Sequence, residues 1–182
     1  MEIYVTGLGV VSGIGLGVAE NIASLRKHQH GMRKVTLFPT ELDVPVSEVK
    51  YSNEELKRLL SLDIQKTFSR TALLGMLAAR EAVDDARLDL NTLRVGLISS
   101  TSVGGMDLSE HFYNAFKKDN RKRRLREVIS HDCGASTEMI ADYLKVNDFV
   151  TTISTACSSA ANAIMLGARM IRNDQLDAAI VG

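Results

Sequence analysis

The sequence predicts an α/β layered fold, because short apolar or β-branched runs alternate with helix-forming stretches at least four times along its 182 residues. Two placements support that class. A glycine-dense turn at residues 7–17 separates an apolar run from helical spacing, and small residues follow the runs that end near residues 99 and 153. In folds of this kind the loops at strand carboxyl ends carry function.

The elements follow in order. Residues 3–8 read as a short apolar strand, and residues 18–27 have helical spacing. Residues 28–57 hold both prolines, Pro39 and Pro45, with little periodicity, and read as a surface excursion. Residues 68–86 are dominated by good helix formers, with Leu73, Met76, Leu77, Ala79, Ala82 and Val83 on one apolar face. Residues 94–99 resemble a buried strand that ends in the turn Ser99-Ser100-Thr101-Ser102-Val103-Gly104-Gly105. A charged stretch at 117–126 leads to a helix at 135–144, a β-branched strand at 149–153, a helix at 158–172 and a strand at 176–182. That last apolar run has no polar cap after it, so the sequence reads as if it continues or meets a partner there.

Composition narrows the function classes. The chain is 45% hydrophobic and 24% charged, with 22 basic and 22 acidic residues, so it has no long-range pull toward nucleic acid or acidic membrane. It has no basic leader followed by an apolar run, and no stretch nears the roughly 18 apolar residues of a membrane span. A cytoplasmic location is the expectation. Cys133 and Cys157 have no zinc spacing and are too few for a disulfide scaffold. No Gly-x-Gly-x-x-Gly or phosphate-loop pattern occurs, which argues against nicotinamide dinucleotide binding.

Cys157 lies at a predicted strand-to-helix junction among Ala156, Ser158, Ser159, Ala160 and Ala161. Small neighbours let a bulky group approach the sulfur, and a helix start supplies free N–H groups and positive dipole. A lone cysteine is equally at home as a buried small hydrophobe, and spacing alone leaves both readings open. Cys133 sits beside His131 and Asp132. Sequence neighbours rarely point together, so it reads as structural. The run from Lys117 to Arg126 carries seven cations in ten residues. It reads either as a solvated face or, through Arg121, Arg123 and Arg124, as a docking surface for an acidic partner. With 5% aromatic residues and none interleaved in that run, nucleic acid is not the expected partner.

The stretch Thr155-Ala156-Cys157-Ser158-Ser159-Ala160 is similar to the active-site signature of the β-ketoacyl-acyl carrier protein synthases. The likeness continues through Asn162, residues 167–171 and residues 177–182, and appears again at residues 5–12, 69–72 and 95–98. It implies the N-terminal half of a thiolase-like condensing enzyme: a layered α-β-α half with a mixed, mostly parallel five-stranded sheet, normally packed on a second similar half.

The resemblance implies acyltransferase chemistry. Cys157 would be the nucleophile, its backbone N–H would serve as one oxyanion-hole donor, and Ala156 and Ser158 would flank the substrate. Val103, Gly104 and Gly105 would border the acyl chain; without a ligand that segment is a plain strand-to-helix turn. No cofactor is expected on the chain, since substrates ride on the phosphopantetheine of acyl carrier protein. The two histidines used for decarboxylative condensation in fatty acid or polyketide synthesis would come from the C-terminal half. His28, His30, His111 and His131 lie outside the matching positions. The expected partners are acyl carrier protein, that second half, and another copy paired through residues 149–154. Two other readings remain: a non-catalytic partner resembling chain-length factors, and an unrelated cysteine hydrolase with a histidine beside Cys157.

Overall fold

In a computed structural model, which describes residues 2–121 and 126–182 with the side chains of 126 and 127 left aside, the layered α/β class is observed. The central sheet has three parallel strands in the order β4 (Phe149–Ile153), β3 (Val95–Ser100), β5 (Ala178–Val181). Gly96 pairs with Phe149 on one side and with Ala179 on the other.

Alternation along β3 sorts its side chains between two layers. Val95 and Leu97 join the main core, with Leu73, Met76 and Leu77 of α3 (Arg70–Ala86) and Ile140, Ala141 and Leu144 of α6 (Cys133–Leu144). Ile98 faces α7 (Ser159–Arg172), where Gly167 lies so close to β5 that an added Cβ would crowd Val181 and Ala179. A strand covered on both faces is apolar along its buried length, here residues 95–98, and the run at 94–99 predicts this buried strand.

Local chemistry sets the helix starts. Ser69 caps α3 by accepting the Ala72 N–H, and Asp132 caps α6 by accepting the Gly134 N–H at 2.7 Å. The helix α1 (Val18–Arg26) is capped from a distance, since Glu81 of α3 accepts the Val18 N–H at 2.7 Å. The expected surface excursion contains a helix, α2 (Asn53–Leu59), opened by a capping box between Ser52 and Glu55. It buries Leu56 and leads to buried Leu60, both in the main core. Two further helices, α4 (Met106–Lys118) and α5 (Arg126–Ile129), follow the turn after β3. Among the described residues no helix is long and apolar enough to cross a membrane.

The expected five strands are not all present: the sheet has three, and the described residues of the 3–8 run form no ladder. The hydrogen bonding explains the difference. Leu8 donates its N–H to Asp85 and Val10 donates to Glu81, both carboxylates on α3. Gly7 and Gly9 lie against the backbone of the same helix, too close for any Cβ. The segment is therefore held on a helix, with Tyr4 71% and Val5 80% exposed. The next residues form only a small antiparallel pair, β1 (Val11–Ser12) with β2 (Gly15–Leu16).

Candidate active site

Parallel register brings three strand ends to one edge of the sheet. Ser100 pairs with Ile153, the Thr101 N–H donates to the Ile153 carbonyl at 3.3 Å, and the Ser100 N–H donates to Gly182 at 2.6 Å. The segment after β3 and the segment after β4 thus begin side by side. The first is the turn containing Val103, Gly104 and Gly105, and the second contains Cys157.

After β4 the chain makes a single 3-10 turn, Ala156–Ser158, before α7 begins at Ser159. Ala156 adopts φ 51°, a left-handed conformation that costs a non-glycine residue about 1–3 kcal/mol. Hydroxyls hold that bend in place. Ser159 Oγ accepts the Thr155 N–H at 2.8 Å and donates to the Ala156 carbonyl at 2.8 Å. Ser158 Oγ donates to the Thr155 carbonyl at 2.8 Å, and Asn162 Nδ2 donates to Thr155 Oγ1 at 2.8 Å. Ser158, Ser159 and Asn162 follow Thr155 at i+3, i+4 and i+7, and the left-handed bend at Ala156 brings their polar atoms back onto it. No site role was expected of Thr155, Ser159 and Asn162 from the sequence, because the bend at Ala156 that gathers them leaves no mark in it.

Cys157 is a free, exposed cysteine, and no side chain of the described residues hydrogen-bonds to its sulfur. Ala156 and Ser158 beside it are exposed as well.

The turn after β3 is built differently. Thr101 Oγ1 accepts the N–H groups of Val103 at 3.2 Å and Gly104 at 3.1 Å. Gly104 takes φ 58° and packs on Cys133, while Gly105 lies against the Ser130 carbonyl, so both are buried where a side chain would not fit. Val103 stands out from this turn, 53% exposed. Behind it, Asp107 accepts the Arg70 N–H at 2.8 Å, which ties the start of α4 to the start of α3.

The His131, Asp132, Cys133 trio separates in space. Asp132 caps α6, His131 Nδ1 hydrogen-bonds Ser109 Oγ at 2.9 Å, and Cys133 is half-buried against Gly104. His28 and His30 lie elsewhere, on a separate cleft. Of the expected carrier-docking residues, Arg121 is exposed just beyond α4, and Arg123 and Arg124 fall outside the described residues.

The family model described as Beta-ketoacyl synthase, N-terminal domain, matches residues 1–182. Over its full length the chain is 28% identical to 45% of "3-oxoacyl-[acyl-carrier-protein] synthase 2" from Coxiella burnetii. It is 26% identical to 45% of a "Putative polyketide beta-ketoacyl synthase 1" from Streptomyces cyaneus. The chain therefore spans about half the length of the curated relatives it matches. Among solved structures, "The ishigamide ketosynthase/chain length factor" superposes with a TM-score of 0.86 at 29% identity, over 98% of this chain and 46% of that one. A ketosynthase in complex with its chain length factor from Xenorhabdus doucetiae shares the fold, with a TM-score of 0.74 at 23% identity, over 98% of this chain and 46% of that one. With a match to the family model that runs from its first residue to its last, the chain belongs to the β-ketoacyl synthase family.

Proposed function

We propose that Cys157 accepts an acyl group from the phosphopantetheine thioester of an acyl carrier protein. The sulfur attacks the thioester carbonyl, negative charge gathers on the carbonyl oxygen, and the bond to the carrier's sulfur breaks. The products are an acyl-Cys157 thioester and a carrier thiol. The Cys157 N–H serves as one donor to that oxygen, and Val103, Gly104 and Gly105 border the acyl chain. The observation that carries the reading is an exposed Cys157 on a hydroxyl-braced bend at the carboxyl edge of a parallel sheet.

Decarboxylation of malonyl-carrier protein and Claisen condensation, in fatty acid or polyketide-type synthesis, belong in this reading to a complete synthase. The residues at hand supply the loading step, and a C-terminal half supplies the histidines and the second oxyanion donor. A second copy would pair through β4, whose outer edge has no strand beside it among the described residues. The catalytic assignment is favoured over a chain-length-factor-like partner because the nucleophile is retained and open. It is favoured over a cysteine hydrolase because none of the four histidines is bonded to Cys157.

Incubation with an acyl-carrier thioester followed by intact-mass measurement tests the reading. The chain is expected to gain one acyl group and the Cys157→Ala variant none; no adduct on the unaltered chain overturns it. A β-ketoacyl product formed by these residues alone would overturn the division between the two halves.

A further inference from the structure

A second cleft, unconnected with the chemistry above, opens between the β1–β2 turn and the segment that follows α1. Its volume is about 410 Å3, and it is lined by His28, His30, Arg33 and Lys50 together with Ser24 and the Gly13–Ile14 turn. No Asp or Glu lines it. Among the described residues, none of those four basic side chains has an ion-pair or hydrogen-bond partner.

The frame that gathers them is fixed. Ser24 Oγ donates to the Ile14 carbonyl at 2.7 Å, which ties α1 to the turn. Arg33 and Val46 exchange backbone hydrogen bonds at 2.9 and 2.8 Å. Gly31 packs on the Gly13 backbone, where a Cβ would come within 2.7 Å of the carbonyl oxygen. His28 has φ 52°, outside the usual range for a residue with a side chain. Exposed cations and imidazoles carried by this frame around one open cleft, with no acidic residue in its lining, form a field that an anion completes.

We propose that this cleft binds a phosphorylated small molecule, with Arg33 and Lys50 on the phosphate oxygens and the two imidazoles as further donors. A phosphate ester fits better than a carboxylate, since it offers up to two charges and three acceptor oxygens to several converging donors. The volume falls in the range of about 300–1,000 Å3 typical of small-ligand sites, which leaves room for an organic body beyond the phosphate.

Calorimetric titration of the chain at low ionic strength with sodium pyrophosphate, ADP, adenosine and sodium acetate tests the proposal. Saturable binding is expected for the two phosphate compounds and not for adenosine or acetate. The Arg33→Gln/Lys50→Gln variant should bind ADP at least about tenfold more weakly. An Arg169→Gln/Arg172→Gln variant, which removes the same charge from α7, should stay within about twofold. All four of these side chains are exposed, and circular dichroism of each variant confirms that its fold is kept. A His28→Gln/His30→Gln variant provides a second route if the first does not fold, and it should also weaken ADP binding. Absence of saturable binding by pyrophosphate and ADP, equal losses in the cleft and α7 variants, or acetate binding as tight as ADP would each overturn the assignment.

Discussion

At the amino edge of the sheet, Arg94 Nη2 contacts Asp174 and Asp177, each at 2.7 Å, while Asp177 and Asp148 accept the N–H groups of Arg94 and Val95, each at 2.8 Å. At the carboxyl edge, the bends that bear Cys157 and Val103 are held by Thr101, Thr155, Ser158, Ser159 and Asn162, all neutral. Charged groups aim the strands at the end remote from the sulfur. Small hydroxyls and glycines shape the other end without filling it. The contrast shows how a site can stay open: carboxylates anchor the start of the central strand far away, so the residues near the sulfur need only fix the bend.

The largest effect expected of that division is steric. In Gly105→Ala the new methyl would meet the Ser130 carbonyl, which is backbone and cannot rotate away. The start of α4 must then shift, at a cost of about 1–3 kcal/mol, and acyl transfer to Cys157 should fall with it. Urea unfolding of variant and parent measures the first effect, and intact-mass time courses the second. An unchanged midpoint would mean that the glycine is not needed for the close approach.

A smaller effect is expected at Ser159, 5% exposed, whose hydroxyl makes two of the hydrogen bonds across the bend. Ser159→Ala leaves the Thr155 N–H and the Ala156 carbonyl without that partner, a loss of about 1–2 kcal/mol. Acylation by a carrier thioester, which depends on the aim of the sulfur, should slow about tenfold. Alkylation by iodoacetamide, which needs only exposure, should hardly change. If both rates fell together, the hydroxyl would be acting on access and not on aim.

These two residues also mark how far the sequence could be read. The strands were legible in different ways: β3, buried on both faces, leaves the apolar run at 95–98, while half-buried β4 shows through its β-branched residues. The α3 stripe was legible through its period. The strand expected at 3–8 was not found because its apolar pattern says nothing about where its backbone lies, and here Gly7 packs on the backbone of α3 and the Leu8 N–H goes to Asp85 of the same helix. Helix α2 was overlooked although Ser52 and Glu55 spell a capping box, since the prolines nearby drew the segment toward a loop reading. At the site, Cys157 stood out by its small neighbours. The roles of Ser159 and Asn162 depend on a bend at Ala156 that has a left-handed φ in a residue with no propensity for it, and composition does not announce that.

The smallest effect belongs to the amino edge. Hydrogen bonds from the Arg94 side chain and backbone lower the Asp177 carboxyl from its ordinary 3.8 to about 2. A carboxyl depressed on folding adds stability above its unfolded value, and that contribution is lost as pH falls from about 4 to about 2. Asp177→Asn cannot titrate there. The parent should therefore be slightly more stable than the variant at neutral pH, with the difference shrinking toward zero between pH 4 and pH 2 and weakening in salt, because the pair is open to solvent. Other depressed carboxyls, Glu48, Glu55 and Asp89, titrate in both proteins and cancel from the comparison. Denaturant unfolding of both proteins across pH 7 to 2 reads the difference; one that stayed constant would show that Arg94 acts through shape and not charge. Since this edge lies away from the sulfur, acylation of Cys157 at neutral pH should be the same in both, and a slowed Asp177→Asn would mean that the two ends of the sheet are coupled.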